Sequence, residues 1–364
     1  MVTTLRFVGS NCLRQRIVLS LLTGKSIIID QIRPDDDENS IKDYELNLLD
    51  LVKKITSGTK VTVSNSRIHL NPGTVVGGEL VHDCDLERSI SYYLEVLLAL
   101  APFCKQPLQI TLNGVTNDDS DPHVDALKAS ALPLLKKFIG DIEGTKLDIK
   151  ISARGFKPDG GGTATLTCPV VRQLHPVQFL NPGKIKRIRG VAVAARVSPQ
   201  MANRLIEASK GMLLRLLPDV YIYSDHNKGK ASGLSPGFSI SLAAETTDGA
   251  FYTASAVSNS KRSGLGPSVP EDVAKLATYR LFEEVNRGGS VNSICQGLAI
   301  ILMAFNQKDV SSIRLGPLTT YTVLLLRHIK EFCGLTYKLE SSDKGEVTAT
   351  CSGLGYKNMS RPTY

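Results

Sequence analysis

The chain has 364 residues, of which 42% are hydrophobic and 21% charged. This length suits two or three domains, and the composition excludes a disordered chain and a disulfide-stabilised miniprotein. No apolar run approaches the ~20 residues of a membrane helix, so no membrane association is expected. Seven scattered cysteines without a C-x-x-C pair are typical of an intracellular protein that has no structural zinc.

Positive charge is concentrated in one segment. The whole chain carries a formal net charge of +8, whereas residues 154–230 contain thirteen Lys and Arg against four acids, which gives +9. A concentrated basic segment is typical of proteins that bind a polyanion such as RNA. A solvated basic surface without a partner is the alternative interpretation.

A helix–strand–helix–hairpin pattern occurs three times. The first helices are predicted at 13–23, 90–103 and 294–305, each followed by a short strand, at 26–29, 108–112 and 312–315. The second helices are predicted at 48–55, 132–140 and 324–334, and the hairpin strands at 60–63 with 67–70, 146–151 with 163–167, and 337–340 with 346–350. Such a unit packs two helices on one side of a sheet.

About 100 residues between the second and third units do not fit this repeat. They contain a predicted strand at 184–193, a helix at 198–217, two alternating runs at 238–244 and 250–257, and a helix at 270–285, with loops at 224–237 and 258–268. We interpret them as an inserted α/β domain. The predicted division is residues 1–79 for unit 1, 80–181 for unit 2, 182–287 for the insertion and 288–364 for unit 3.

Several stretches that look like ligand-binding motifs lack required features. The Thr-Gly-Lys-Ser stretch at 23–26 lacks the first glycine of a phosphate-binding loop and follows a helix instead of a strand. The Gly-Leu-Gly stretch at 264–266 lacks the third glycine of a dinucleotide fingerprint. The acidic run at 35–38 is interpreted as a solvated turn, not as a metal site. No metal and no cofactor are predicted.

Two glycine-rich stretches, 71–78 and 154–162, stand out between the predicted strands. Glycine permits turns that other residues disfavour and also the close approach of a ligand. Both interpretations, hairpin loop and ligand contact, remain open from the sequence.

Arg327, His328 and Lys330 on the last predicted helix could cleave RNA without a metal. Such chemistry needs a proton shuttle near neutral pH and cations that stabilise the developing phosphorane charge. However, positions 327 and 328 are about 100° apart on a helix. The alternative is an ordinary solvated helix end, where cations also suit the helix dipole.

The glycine loop at 154–162, the Pro-Gly-Thr stretch at 72–74 and the Gly-Val-Thr-Asn stretch at 114–117 resemble the RNA 3′-terminal phosphate cyclases. The resemblance covers nearly the whole chain and is strongest to the eukaryotic cyclase-like branch associated with ribosome assembly. It implies an α/β fold of three βαβαββ units with one smaller inserted α/β domain.

The resemblance also implies that the cyclase chemistry is lost. Cyclases adenylylate a histidine with ATP and pass the AMP to an RNA 3′-phosphate, and Thr319 stands at the matching position. A threonine hydroxyl is scarcely ionised at neutral pH. The loop at 9–12 lacks the glutamate and the glycine run of cyclases, and Cys295 replaces an aspartate. The chain is therefore expected to be a pseudoenzyme.

Arg14 and Arg33 match cyclase arginines that lie near bound phosphates. We predict that they form an anion-binding pocket through charge-assisted contacts.

Three functional hypotheses follow. The resemblance implies a non-catalytic nucleolar factor for pre-rRNA processing and small-subunit rRNA maturation, which acts in the small-subunit processing particle with a ribosome-assembly GTPase. The inserted domain and the segment 184–230 are candidate surfaces for that partner. The second hypothesis is a metal-independent pre-rRNA endonuclease that uses Arg327, His328 and Lys330. The third is a residual cyclase, against which Thr319 argues.

Overall fold

Four four-stranded sheets organise the protein, as seen in a computed structural model that describes residues 4–33, 41–140, 146–260 and 262–358. The predicted acidic turn at 35–38 lies outside the described residues. Across these ranges no helix is long and apolar enough to cross a membrane.

The first sheet belongs to the first predicted unit. Its elements, in chain order, are β1 (Thr4–Val8), α1 (Leu13–Thr23), β2 (Ser26–Asp30), α2 (Asp43–Ile55), β3 (Thr56–Ser57), β4 (Lys60–Ser64), β5 (Arg67–Asn71) and β6 (Thr74–Val75). The strand order is β1-β2-β5-β4, with β1 and β2 parallel and the other pairs antiparallel, while β3 and β6 pair separately. Helix α1 ends where Gly24 adopts φ +71°, a conformation that glycine enters at little cost.

The second sheet repeats this arrangement. Its elements are β7 (Gly78–Asp83), α3 (Ile90–Leu100), β8 (Leu108–Gly114), α4 (Val124–Ile139), β9 (Asp148–Ala153) and β10 (Gly162–Cys168). The order β7-β8-β10-β9 again places one parallel pair beside two antiparallel pairs. Helix α3 begins after Ser89, whose hydroxyl accepts a hydrogen bond from the backbone N–H of Ser91.

The inserted residues form a sheet of their own. After a short strand β11 (Gln178–Phe179), the elements are β12 (Ile185–Ala195), α5 (Gln200–Leu213), β13 (Val220–Asn227), β14 (Gly237–Thr246), β15 (Phe251–Val257) and α6 (Pro270–Arg287). The order is β13-β12-β14-β15. The predicted loop at 224–237 is wrong at its start, because β13 continues to Asn227 by pairing in parallel with β12 despite its polar end.

The third sheet contains α7 (Gln296–Ala304), β16 (Val310–Leu315), α8 (Thr320–Cys333), β17 (Lys338–Ser341) and β18 (Val347–Ser352). Its order is β11-β16-β18-β17, with β11 parallel to β16. Strand β11 precedes the insertion in the chain, so the inserted sheet interrupts the third unit. We therefore propose that this unit begins before β11 instead of at residue 288. A two-residue strand leaves no alternating pattern that the sequence could reveal.

The predicted α/β class is confirmed, and each of the three repeated sheets carries the βαβαββ order. One hydrophobic core joins all three, with Ile17 of α1, Leu97 of α3 and Ile300 of α7 fully buried in it. The inserted sheet has a second core, in which Leu205 and Leu281 from its two helices cover one face.

Arg154 connects the second unit to the inserted domain. Its guanidinium donates to both carboxylate oxygens of Asp125 on α4, at 2.5 and 3.1 Å, and through Nε to Asp225 on β13 at 2.8 Å. The next residue, Gly155, lies against the backbone of β8, where a Cβ would come 2.4 Å from the carbonyl oxygen of Gly114. The glycine loop at 154–162 therefore serves a close backbone crossing.

We expect Arg154→Ala to destabilise the fold by about 3 kcal/mol, because the part-buried carboxylates of Asp125 and Asp225 would lose the buried cation that they share. Urea unfolding measures this loss. Arg204→Ala, which breaks an exposed ion pair with Glu271, is the matched control and should cost little. Equal losses in the two variants would contradict the role given to Arg154.

Candidate functional site

Side chains from α1, α3 and α8 meet at a partly exposed ionic contact, in which the Arg14 and Glu95 side chains are 19% and 37% exposed. Arg14, in the first turn of α1, forms an ion pair with Glu95 on α3 at 2.6 Å. The hydroxyl of Tyr321 on α8 donates to the other oxygen of Glu95 at 2.5 Å. One carboxylate of the second unit thus binds side chains from the first and the third unit.

Arg14 remains charged in this environment. Burial alone would lower the pKa of its guanidinium, but Glu95 and the rings of Tyr321 and Tyr92 hold that pKa above its usual value. The guanidinium carbon lies 4.4 Å from the ring centre of Tyr92, a cation–π distance. Burial, followed by the charge of Glu95, raises the pKa of Tyr321, so its proton stays on the hydroxyl.

A second arginine contacts the same aromatic ring. Arg88 lies 4.6 Å from the ring centre of Tyr92 and pairs with the nearly buried carboxylate of Asp121 at 2.5 Å. Tyr44 on α2 meets Tyr92 edge to face at 5.5 Å. The surroundings of Arg14 are therefore built from alternating aromatic rings and ion pairs.

Arg33 is held at the start of α2. Its guanidinium donates to both oxygens of Glu45, at 2.7 and 2.9 Å, and the same carboxylate accepts from the backbone N–H of Lys42 at 3.0 Å. Glu45 itself is buried. Both predicted anion ligands, Arg14 and Arg33, thus already contact a carboxylate, which any phosphate would have to displace.

The space beside Arg14 is small. Arg14, Glu95 and Tyr321 line a cavity of ≈ 40 Å³, together with apolar side chains from α1, α3, α4, α7 and α8. Pockets that bind small molecules commonly have about 300–1,000 Å³. This cavity can hold water but not a nucleotide.

Thr319 caps the start of a helix. It is the N-cap residue of α8, where its hydroxyl accepts from the backbone N–H of Thr322 at 3.1 Å and shares a hydrogen bond with the Thr322 hydroxyl at 2.8 Å. The Gln296 side chain accepts from the Thr319 backbone N–H at 3.3 Å. Within the described ranges no imidazole or carboxylate hydrogen-bonds Thr319, so no base activates its hydroxyl.

The two other departures from the cyclase pattern also contact neighbouring residues of the fold. Cys295 is buried beside the Ser130 hydroxyl at 3.3 Å, and burial raises the pKa of its thiol to about 12. In the loop at 9–12, the carbonyl oxygen of Gly9 accepts from Arg16 at 2.7 Å. Among the residues that the structure describes, no group of three or more His, Cys, Asp or Glu side chains could hold a metal ion.

The structure separates the predicted nuclease residues. Arg327 and Lys330 are exposed, whereas His328 is buried between α8 and α1. Its Nε2 accepts from Nε of Arg16 at 3.4 Å, so Nδ1 carries the proton and donates to Gln15 at 3.2 Å. Burial and the charge of Arg16 lower the pKa of His328 to about 4. The endonuclease hypothesis stays a prediction that retains only the two exposed cations.

The basic segment 154–230 is partly neutralised by the fold. Six of its cations form ion pairs, namely Arg154, Lys157, Lys186, Arg187, Arg189 and Arg204. Their partners include four carboxylates from outside the segment: Asp118, Asp125, Glu245 and Glu271. A count along the sequence therefore overstates the positive charge of this surface.

Sequence reasoning missed Glu95, Arg88 and the Arg16–His328 contact. One signal was present, because Glu95 is the single acid in an otherwise apolar helix, where a carboxylate favours a cationic partner. The identity of that partner depends on the packing of α1 and α8 against α3, which no local pattern encodes.

The sequence profile described as RNA 3′-terminal phosphate cyclase matches residues 5–339. The chain therefore belongs to the RNA 3′-terminal phosphate cyclase family.

Individual relatives narrow the comparison to the cyclase-like members. The RNA 3′-terminal phosphate cyclase-like protein of Homo sapiens is 47% identical to this chain over 98% of both proteins. A probable cyclase-like protein of Arabidopsis thaliana is 40% identical over 99% of both. The rRNA processing protein of Schizosaccharomyces pombe is 37% identical over 98% of this chain and 97% of its own.

We expect the free energy of unfolding to fall as the pH drops from about 6.5 to 4. In this pH range His328 is protonated in the unfolded chain but stays neutral in the folded protein. The reason is that burial lowers its pKa from the usual 6.5 to about 4. His82 and His123 have similarly lowered pKa values and add to the slope. His328→Gln should reduce the loss by on the order of 2 kcal/mol.

Urea unfolding at several pH values measures this slope. Lys330→Gln, an exposed change on the same helix, controls for altered helix charge and should leave the slope unchanged. An unaltered slope in His328→Gln would mean that His328 takes up its proton at the same pH in the folded and the unfolded protein.

Proposed function

We propose that this protein is a cyclase-like factor in rRNA processing that does not transfer adenylate. The observation that carries the proposal is Thr319, whose hydroxyl caps α8 at the position where the family resemblance places the nucleophilic histidine. The similarity to the S. pombe protein named for rRNA processing supports the rRNA role, since it extends over nearly the whole chain.

A more specific proposal concerns the stage of rRNA processing and the protein partner. We infer that the protein acts in maturation of the small-subunit rRNA, in a nucleolar processing particle and beside a ribosome-assembly GTPase. A net charge of +8 suits residence in a particle built on RNA. The inserted domain is the candidate surface for the GTPase.

Depletion of the protein from cells that encode it should cause uncleaved precursors of the small-subunit rRNA to accumulate, which hybridisation to pre-rRNA measures. Re-expression of wild-type protein should restore processing, and so should Thr319→Ser, because serine retains the N-cap hydroxyl. Unchanged precursor levels after depletion would contradict the proposal.

The proposed absence of adenylyl transfer is tested separately. Purified protein with labelled ATP, Mg²⁺ and a 3′-phosphorylated RNA should acquire no covalent AMP, since the cavity of ≈ 40 Å³ beside Arg14 does not admit a nucleotide. Covalent label on the protein would show that another residue has replaced the histidine.

We also propose that Arg14 and Arg33 bind an oxyanion. Arg14 is fully charged and lies beside the cavity, and its partner Glu95 is the competitor that sets the affinity. Glu95→Gln removes the competing charge while it retains hydrogen-bonding groups, so sulfate should bind about tenfold or more tightly.

Calorimetric titration with sulfate measures this change. The double variant Arg14→Ala, Arg33→Ala should bind more weakly than wild type. Equal sulfate binding by the double variant and wild type would show that these arginines do not bind the anion.

A further inference from the structure

An exposed aromatic pair lies on the inserted sheet. Tyr221 and Tyr223 on β13 are 51% and 54% exposed, and their rings meet edge to face with centres 4.5 Å apart. Strand β13 is at the edge of its sheet. Large aromatic rings that remain in solvent side by side are typical of a binding surface.

The strand register places an arginine in the same row. Tyr221 lies directly opposite Arg189 on β12, and Tyr223 lies opposite Val191. Directly paired residues share one face of a sheet. On β14, the other neighbour of β12, Ala243 lies opposite Arg189 and Ser241 lies opposite Val191, and both are small residues.

Half of this face is open. Helices α5 and α6 cover the opposite face, and α4 covers this one only over β14 and β15. At the edge of α4, a cleft of ≈ 120 Å³ runs between Ala126 and Ala129 on one side and Val191 and Tyr223 on the other. A flat apolar group can therefore enter beside the ring of Tyr223.

Cations border the aromatic pair. Lys210 Nζ is 5.7 Å from the ring centre of Tyr221. Arg189 is held by both carboxylate oxygens of Asp219, at 2.7 and 3.1 Å. Further along β12, Lys186 and Arg187 share the one carboxylate of Glu245, at 2.7 and 2.6 Å, so these three cations of β12 outnumber their two carboxylate partners by one. Flat rings beside excess positive charge complement a chain that has flat bases and an anionic backbone.

We propose that Tyr221, Tyr223 and Arg189 form a site that binds unpaired bases of single-stranded RNA. The bases stack on the tyrosine rings, and the nearby cations contact the phosphates. An acidic peptide would satisfy the cations but would leave the rings and the apolar cleft unfilled. The inference rests on the proposed role in rRNA processing and deepens it by naming a surface that touches the RNA.

The chain contains no tryptophan, so a single introduced indole reports on one position. Tyr223→Trp keeps a stacking ring, and its fluorescence should be quenched when a 15-nucleotide unpaired RNA is added but not when a blunt duplex of equal length is added. Tyr279→Trp is the matched control, because Tyr279 is 60% exposed on α6, which covers the opposite face. Equal quenching at both positions, or none at position 223, would overturn the proposal.

Affinity variants test the same site independently. The double variant Tyr221→Ala, Tyr223→Ala should bind the unpaired RNA about tenfold or more weakly, from the loss of base stacking. The double phenylalanine variant should bind as wild type does, and so should Tyr279→Ala. Wild-type affinity in the double alanine variant would overturn the proposal, even if the fold were unchanged.

The proposed function and the proposed RNA site can be disproved independently. If depletion leaves pre-rRNA processing unchanged, the proposed function is wrong, whatever the oligonucleotides show. If depletion blocks processing and the double alanine variant binds RNA normally, the function stands and the RNA contact lies elsewhere.

Discussion

The carboxylate of Glu95 is the constraint around which the centre of the protein is arranged. It is the single acid of the otherwise apolar helix α3, and its side chain is partly exposed. Arg14 from the first unit and the Tyr321 hydroxyl from the third neutralise it. This contact can form only when α1, α3 and α8 have all packed, so it makes the three repeated units interdependent.

The same contact leaves the candidate phosphate ligands engaged within the protein. Each arginine that could attract a phosphate already has an internal anion: Glu95 for Arg14 and Glu45 for Arg33. Thr319 likewise directs its hydroxyl into the first turn of α8. These groups stabilise one another, and the cavity beside Arg14 is small.

The sequence predicted the regular elements well because their signals are local. The first helix of the chain, 13–23, has the predicted bounds, and the paired hairpin strands of all three units lie where alternation placed them. Strands β1 and β7, which begin the first two units, were not predicted from the residues. Strand β11 was missed because two residues carry no period, and the end of β13 because pairing with β12 overrides its polar composition. The site was harder to predict. His328 looked like an exposed proton shuttle along the helix, but it is a buried partner of Arg16, a contact across more than 300 residues.

The position of the insertion has a consequence for how the protein is made. In the part of the chain that the structure describes, strand β11 pairs with β16, and residues 178 and 312 are direct partners in that ladder. The ribosome must therefore synthesise the whole inserted domain before the third sheet can close, a delay on the order of ten seconds at typical elongation rates. The inserted domain has its own core and can fold during this interval. The entropy of closing such a long loop is then reduced, because a folded domain holds the two ends of the interruption near each other. The late third unit supplies Tyr321, so the central contact with Glu95 is among the last to form.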